Sequence, residues 1–287
     1  MNYPLYCGTS CPLAIPNALI FDNPQPANHY MTGIETELSL VTYAIVAIAA
    51  FAGALLASMS GSGSSLLLAP VLLPLIGIKA LLPVIAVGSL FGNIARAWVY
   101  KEWIEWKLFT KVGLPAAPGV IVGVLIYDWL PQATLLAIFG LFMIVSLPIR
   151  RWTDSLKLKP SPTGVASGSF SFGIIAGSVP LGGIVLVAML LGFGLRGGAI
   201  LGTDAMISVL TNFCRVGGFT SVGLLNLQLI ILGVIIGVMT IPAAYIGRYL
   251  VVRIGVKIHT VLLDGVVILT GCYFVFEAAR RLFYANP

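Results

Sequence analysis

From Leu38 onward the chain is written as apolar stretches of roughly helix-spanning length, parted by short breaks of Gly, Pro or charge. Of the 287 residues, 59% are hydrophobic and only 9% charged. A soluble domain carries about 25% charged residues, so this chain lacks the charge to cover a water-facing surface. The mean hydropathy of +1.02 excludes a disordered chain. No stretch is basic enough for a nucleic-acid domain. The sequence therefore specifies an all-α integral membrane protein.

Two polar segments divide it. Residues 1–37 are polar and proline-rich, contain no run that approaches a bilayer span, and lack the basic start of a signal peptide. A second break runs from Arg150 to Pro162 (RRWTDSLKLKPSP). The expected organisation is an extracytoplasmic tail over 1–37, a first transmembrane repeat over 38–149, a cytoplasmic linker over 150–163 and a second repeat over 164–287. At about 20 residues per spanning helix, the material supports roughly eight to ten crossings or half-helices. Segments are expected at 41–57, 64–77, 80–99, 108–127 and 132–149, then at 165–178, 182–195, 198–220, 227–250 and 260–279. An eight-crossing alternative fuses or folds back the short segments near 58–77 and 165–195.

The 16 Lys and Arg exceed the 10 acids, and their placement orients the chain. Basic residues gather at Lys101, Lys107 and Lys111, at Arg150, Arg151, Lys157 and Lys159, and at Arg253 and Lys257, while the first 37 residues have none. Under the positive-inside rule these clusters face the cytoplasm and the N-terminus lies outside, in a multi-pass protein of the cell (inner or plasma) membrane. Arg280 and Arg281 fall outside in this arrangement, against the rule. Cys214 and Cys272 lie in apolar runs and read as buried thiols. Cys7 and Cys11 could pair in an extracytoplasmic tail, and the spacing leaves that open.

The two halves repeat each other. At one constant offset Ala80 aligns with Ala199, Ala86 with Ala205, Ser89 with Ser208, Asn93 with Asn212 and Arg96 with Arg215. Further on, Pro118-x4-Gly123 matches Pro242-x4-Gly247 at an offset five residues longer. Ala and Gly matches are cheap in apolar helices, but a Ser-Asn-Arg pattern at identical spacing is not. An odd number of crossings per half would make the repeats inverted, a recurrent transporter plan.

Ser89, Asn93 and Arg96 stand at i, i+4 and i+7 and share one helix face, as do Ser208, Asn212 and Arg215. A charge deep in hydrocarbon costs at least ~2.5–3.5 kcal/mol, so both arginines are expected to face a protein-lined or wet interior. A guanidinium keeps its charge and offers a planar fork of donors for carboxylate, sulfonate or phosphate oxygens. An anion-binding pair is the functional reading. Snorkelling to the interface or structural ion pairing is the plainer one, especially for Arg96 near Trp98 and Lys101. Asp204 extends the second stripe by a turn, with Ile85 as its counterpart. It could carry a proton, bind a coupling cation, or merely neutralise Arg215.

Each repeat opens on a Gly/Ser-rich break: Ser60-Gly61-Ser62-Gly63-Ser64-Ser65 in the first, Gly177-Ser178-Val179-Pro180-Leu181-Gly182-Gly183 in the second. Such runs break a helix and leave free N–H groups and a positive dipole end on the helix that follows. Gly61, Ser62, Gly63, Ser64, Gly182 and Gly183 thus join the candidate substrate-binding residues, although small residues also permit tight helix packing. His29 and His259 have no metal-ligand spacing, and no Cys/His cluster exists, so no metal or other cofactor is expected. Trp98, Trp103, Trp106 and Trp129 flank segment ends as interfacial residues. Ser62 and Ser64 among glycines raise an intramembrane hydrolase, but no His or Lys falls within the expected core segments to act as base. No P-loop is present, so the chain is not read as an enzyme or an ATP-driven pump.

With these features in view, the chain resembles the sulfite exporter TauE/SafE family of membrane permeases over roughly residues 40–280. The resemblance is carried by Gly61-x-Gly63 followed by Leu66-Leu67-Leu68-Ala69-Pro70, by the Ser89-to-Arg96 helix and by the late Asp264-Gly265 helix. Members usually have a more continuous glycine run where this chain has Ser62, Ser64 and Ser65, and Met189 stands where Pro70 would be mirrored. The resemblance implies transport of small sulfur-containing anions such as sulfite, sulfonates or sulfoacetate, with export as a common direction. A passive anion channel, or a permease for other small organic anions, is the alternative. The implied partners are the lipid bilayer, the anion, a coupling proton or cation and, as an open option, further copies of the chain.

Overall fold

The computed structural model describes residues 40–57, 64–153, 162–179, 182–254 and 256–284. Among them all regular structure is helical: α1 (Leu40–Ala57), α2 (Ser64–Val99), α3 (Trp106–Trp129), α4 (Gln132–Thr153), α5 (Pro162–Ser178), α6 (Gly182–Gly192), α7 (Gly198–Ser221), α8 (Leu227–Ile254) and α9 (Val256–Tyr284), with a single 3-10 turn at Lys101–Trp103. Leu68–Val99, Trp106–Trp129 and Gly198–Ser221 are long and apolar enough to cross a bilayer. The tail over 1–37, with Cys7, Cys11 and His29, lies outside the described residues, as does most of the linker.

The segments expected at 64–77 and 80–99 are joined in α2, whose 36 residues include Pro70, Pro74 and Pro83. A straight helix of that length would reach about 54 Å, well beyond a hydrocarbon core of ~30 Å. It is not straight. Gly77 adopts φ 73° and ψ 169°, a left-handed conformation that suits glycine, and divides α2 into two arms. The second half has the equivalent interruption between α6 and α7, where Gly194 and Gly197 also take positive φ. Each half thus contains a broken helix at corresponding places.

Neighbour relations also exchange between the halves. α3 packs on α5 as α8 packs on α1, α2 packs on α8 as α7 packs on α3, and the equivalent pairs α2/α7 and α4/α9 meet each other. Small residues set these distances, because helices in lipid gain from close van der Waals approach rather than from escape from water. At α3/α5 two Gly-x3-Gly pairs interlock. A Cβ on Gly119 would strike the carbonyl of Phe170, on Gly123 that of Ile174, on Gly173 that of Ala116 and on Gly177 that of Val120. At α2/α8, Gly88 and Gly92 receive Ile236 and Thr240, while Gly233 and Gly237 receive Val87 and Phe91.

The core between the halves is aromatic. Tyr127 of α3 lies 6.1 Å from Phe139 of α4 and 5.4 Å from Phe219 of α7, and Phe139 lies 6.5 Å from Phe274 of α9, measured between ring centroids. All four rings are fully buried. The Tyr127 hydroxyl donates to the Ile78 carbonyl, and Lys79 Nζ donates to the carbonyls of Tyr127 and Asp128 at 3.2 and 2.5 Å. The break in α2 is thereby clamped to the C-terminal end of α3, where exposed carbonyls attract a cation. Large apolar side chains such as Leu114, Leu125 and Leu141 point outward, as a lipid-facing surface requires.

Candidate functional site

α2 and α7 cross beside each other, and each presents its arginine from the same local frame. Arg96 Nη2 donates to Asn93 Oδ1 at 2.9 Å, and Arg215 Nη1 donates to Asn212 Oδ1 at 3.1 Å. The spacing of three residues puts each pair on one helix face, so the duplicated sequence yields a duplicated geometry. Ser89 and Ser208 lie half-buried on the same stripes. Among the described residues neither hydroxyl enters the arginine hydrogen bonds.

The surroundings of the two arginines differ. Asp204 Oδ2 accepts from Arg96 Nη2 at 2.7 Å, an ion pair that crosses from α7 to α2. Asp204 therefore neutralises Arg96, not Arg215, which corrects the expectation drawn from its position on the second stripe. The reason is geometric: Asp204 and Arg215 share one helix but stand about three turns apart, whereas the packing of α2 on α7 brings Arg96 alongside. Asp204 is 2% exposed, and among the described residues its Oδ1 has no hydrogen-bond partner.

Arg215 is 7% exposed, with Asn212 at 5%. Its Nη2 donates to the carbonyl of Val179, just past the end of α5, at 2.8 Å. Both acceptors are neutral. Among the described residues no carboxylate lies within ion-pair distance of this guanidinium, and its Nε has no hydrogen-bond partner. A buried cation with no opposite charge is expensive, and anion binding removes that cost.

The Gly-rich openings fall differently. Gly182 is the first residue of α6 and Gly183 follows it. Val179 precedes Gly182 by three residues, so the chain holds the α6 N-terminus within about 10 Å of the carbonyl that Arg215 grips. Free N–H groups and a positive dipole end belong there. Gly61, Ser62 and Gly63 lie outside the described residues. Ser64 begins α2, with its side chain outside them too.

Several participants were not among the sequence candidates. Val179 contributes only a backbone carbonyl, which no side-chain pattern reveals. Thr203, fully buried beside Asp204, accepts from the Glu105 backbone N–H at 3.0 Å and ties α7 to the start of α3. Lys79 lies inside α2, contrary to the expectation that core segments lack lysine. Its ammonium is directed to the α3 carbonyls, a scaffolding contact. Its position as a solitary cation between apolar runs was the available signal. Among the described residues no group of three or more His, Cys, Asp or Glu could hold a metal ion.

The duplicated Arg/Asn frame, partly exposed at Arg96 and buried at Arg215, lies within apolar helices. The model of the family described as sulfite exporter TauE/SafE matches residues 45–274. The chain belongs to the TauE/SafE family. The match covers both halves and every described member of the Arg/Asn/Asp constellation. Comparison with curated proteins and with solved structures gives no match. As a TauE/SafE member of all-helical, apolar build, the chain is a membrane protein of a transporter family, and that family transports sulfite-type anions across membranes.

Proposed function

We propose that this TauE/SafE protein is a secondary transporter of one small sulfur-containing oxyanion, sulfite or a compact sulfonate, exported across the cell membrane. Arg215 is its principal anion-holding residue. The observation that carries this reading is the asymmetry between the arginines: Arg96 faces Asp204, while Arg215, equally framed by its asparagine, faces only neutral acceptors. A guanidinium donates in a plane to two oxygens at once, which suits a sulfur oxyanion. Asn212 positions the fork, and the α6 N-terminus at Gly182 and Gly183, beginning three residues along the chain from the Val179 carbonyl, adds backbone donors.

Purified protein in detergent, heated with sulfite, sulfate, methanesulfonate, sulfoacetate or acetate, tests the reading. A ligand that binds only the folded state raises apparent stability by about 2.7 kcal/mol at a hundred times its Kd. Sulfite or a sulfonate is expected to raise Tm saturably, above sulfate and chloride at equal ionic strength. Equal shifts for all anions would reduce the effect to salt screening. Flux in vesicles should saturate with substrate; non-saturating flux that follows voltage would point to a channel instead.

The transport reading also includes inverted repeats. The Lys101–Trp103 turn before α3 and the segment before α8 occupy corresponding places in the two halves. In a background free of native cysteines, Glu102→Cys and Leu227→Cys are expected to react with an impermeant maleimide from opposite sides of the membrane. Labelling of both from one side would reject inversion and favour parallel repeats.

A further inference from the structure

We infer that the chain carries two equivalent anion cradles and that one of them is permanently filled from within: the Asp204 carboxylate occupies at Arg96 the place that a transported oxyanion takes at Arg215. The second cradle rests on the function proposed above. The first stands on geometry alone.

The sequence alignment of the halves makes Asn93 and Arg96 equivalent to Asn212 and Arg215, and both arginines donate to the asparagine three residues earlier, at 2.9 and 3.1 Å. Beyond that shared bond the two sites differ: Arg215 is buried and also donates to the Val179 carbonyl, Arg96 is partly exposed, and the two guanidinium groups face different side chains. Against Arg96 the facing helix α7 supplies Asp204. The same offset assigns Asp204 to Ile85 on α2, a buried aliphatic residue, so the duplication leaves no acid at the equivalent position. Duplication with one acid retained and its mate absent leaves one cradle neutral and the other cationic.

The way Asp204 is held fits an occupant better than a wall of the site. Only Oδ2 is engaged, through Arg96; Oδ1, fully enclosed, has no hydrogen-bond partner among the described residues. A structural buried carboxylate ordinarily has its lone pairs satisfied by several donors. At Arg215 no carboxylate lies within ion-pair distance among the described residues. One cradle holds an anion on a tether, and the other holds a donor without an anion. Two consequences follow for chemistry. The wild-type protein binds one oxyanion per chain. Removal of the Asp204 carboxylate unmasks a second site, selective for small monoanions of carboxylate or sulfite size.

The experiment uses the full chain in detergent. Asp204→Ala takes from Arg96 the carboxylate it pairs with and is expected to lower Tm, and acetate is expected to restore Tm saturably, whereas acetamide and chloride are not. Titration calorimetry with sulfite should then give two sites per chain in place of one. If Asp204→Ala does not fold even with acetate present, the reciprocal variant carries the test. Ile85→Asp places a carboxylate at the position equivalent to Asp204 and is expected to weaken sulfite binding by monodisperse protein about tenfold or more. Ile85→Asn controls for polarity and should bind far better than Ile85→Asp.

A third variant, Asp204→Ala with Arg215→Gln, separates the two readings. Acetate-dependent stabilisation should persist in it, because Arg96 alone accounts for that effect. Persistence together with no sulfite binding by the wild type would sink the Arg215 function and leave the internal anion standing. The inference is overturned by either of two results: folded Asp204→Ala that responds to acetate no more than to chloride, or Ile85→Asp that binds sulfite with wild-type affinity.

Discussion

Arg215→Gln is expected to weaken sulfite or sulfonate binding by about a hundredfold or more, with the protein still folded. Charge-assisted hydrogen bonds contribute roughly 1.5–3 kcal/mol each, and an anion on the Arg215 fork would lose at least two of them. At about 1.4 kcal/mol per decade this gives two orders of magnitude or more. Arg215→Lys keeps the charge and loses the planar fork, so a smaller loss, about tenfold, is expected. Folding can be followed separately, because glutamine still offers a donor to the Val179 carbonyl that Arg215 holds at 2.8 Å. Affinities measured by calorimetry on monodisperse variants decide the matter. Wild-type affinity in both would reduce Arg215 to a clamp on the end of α5.

The largest effect on stability is expected at Gly173. Its missing Cβ is what lets α5 lie on α3: an added methyl would overlap the Ala116 carbonyl oxygen and lie about 3.0 Å from the Ala116 Cα. The obstacle is backbone on both sides, so no rotamer change relieves it. Overpacking of an ordinary core costs about 1–3 kcal/mol, and a backbone collision at a helix crossing exceeds that. Gly173→Val should therefore lower Tm by roughly ten degrees or more, or leave no monodisperse protein. Gly217→Ala is the control. Nothing lies within 4 Å of the Cβ it would acquire, and its backbone is helical. Alanine there should be neutral or add up to about 1 kcal/mol. Equal melting of Gly173→Val and wild type would mean that the α3/α5 crossing contributes little to stability.

Much of the fold was legible because the sequence punctuates itself. Every expected segment is found, with ends displaced by a few residues. Gly, Pro and charge mark the breaks, and little else interrupts the apolar runs. The Asn-to-Arg spacing was legible too, since positions three apart on a helix meet whatever the tertiary structure. One of the roles open to Asp204, neutralising Arg215, failed for the converse reason. Its sequence neighbours lie on α7, while its partner, Arg96, is reached only through the packing of α2 on α7. The Val179 carbonyl was invisible because every residue carries one. The glycines of the two Gly/Ser-rich openings were read as helix breaks or as packing residues with no means to choose, and those elsewhere in the apolar runs were given neither role. Gly77 proves to be a break at positive φ, while Gly119, Gly123, Gly173 and Gly177 are packing surfaces.

The interlocked glycines have a mechanical consequence. α3 comes from the first half and α5 from the second, yet their backbones touch with no side chain between them. A motion that swings one half as a block against the other must pull this seam apart and expose both backbones to lipid. Motions that keep α3 and α5 together avoid that loss. The unit that stays rigid is therefore assembled across the duplication, and the cut between moving and stationary parts runs through each half rather than between them.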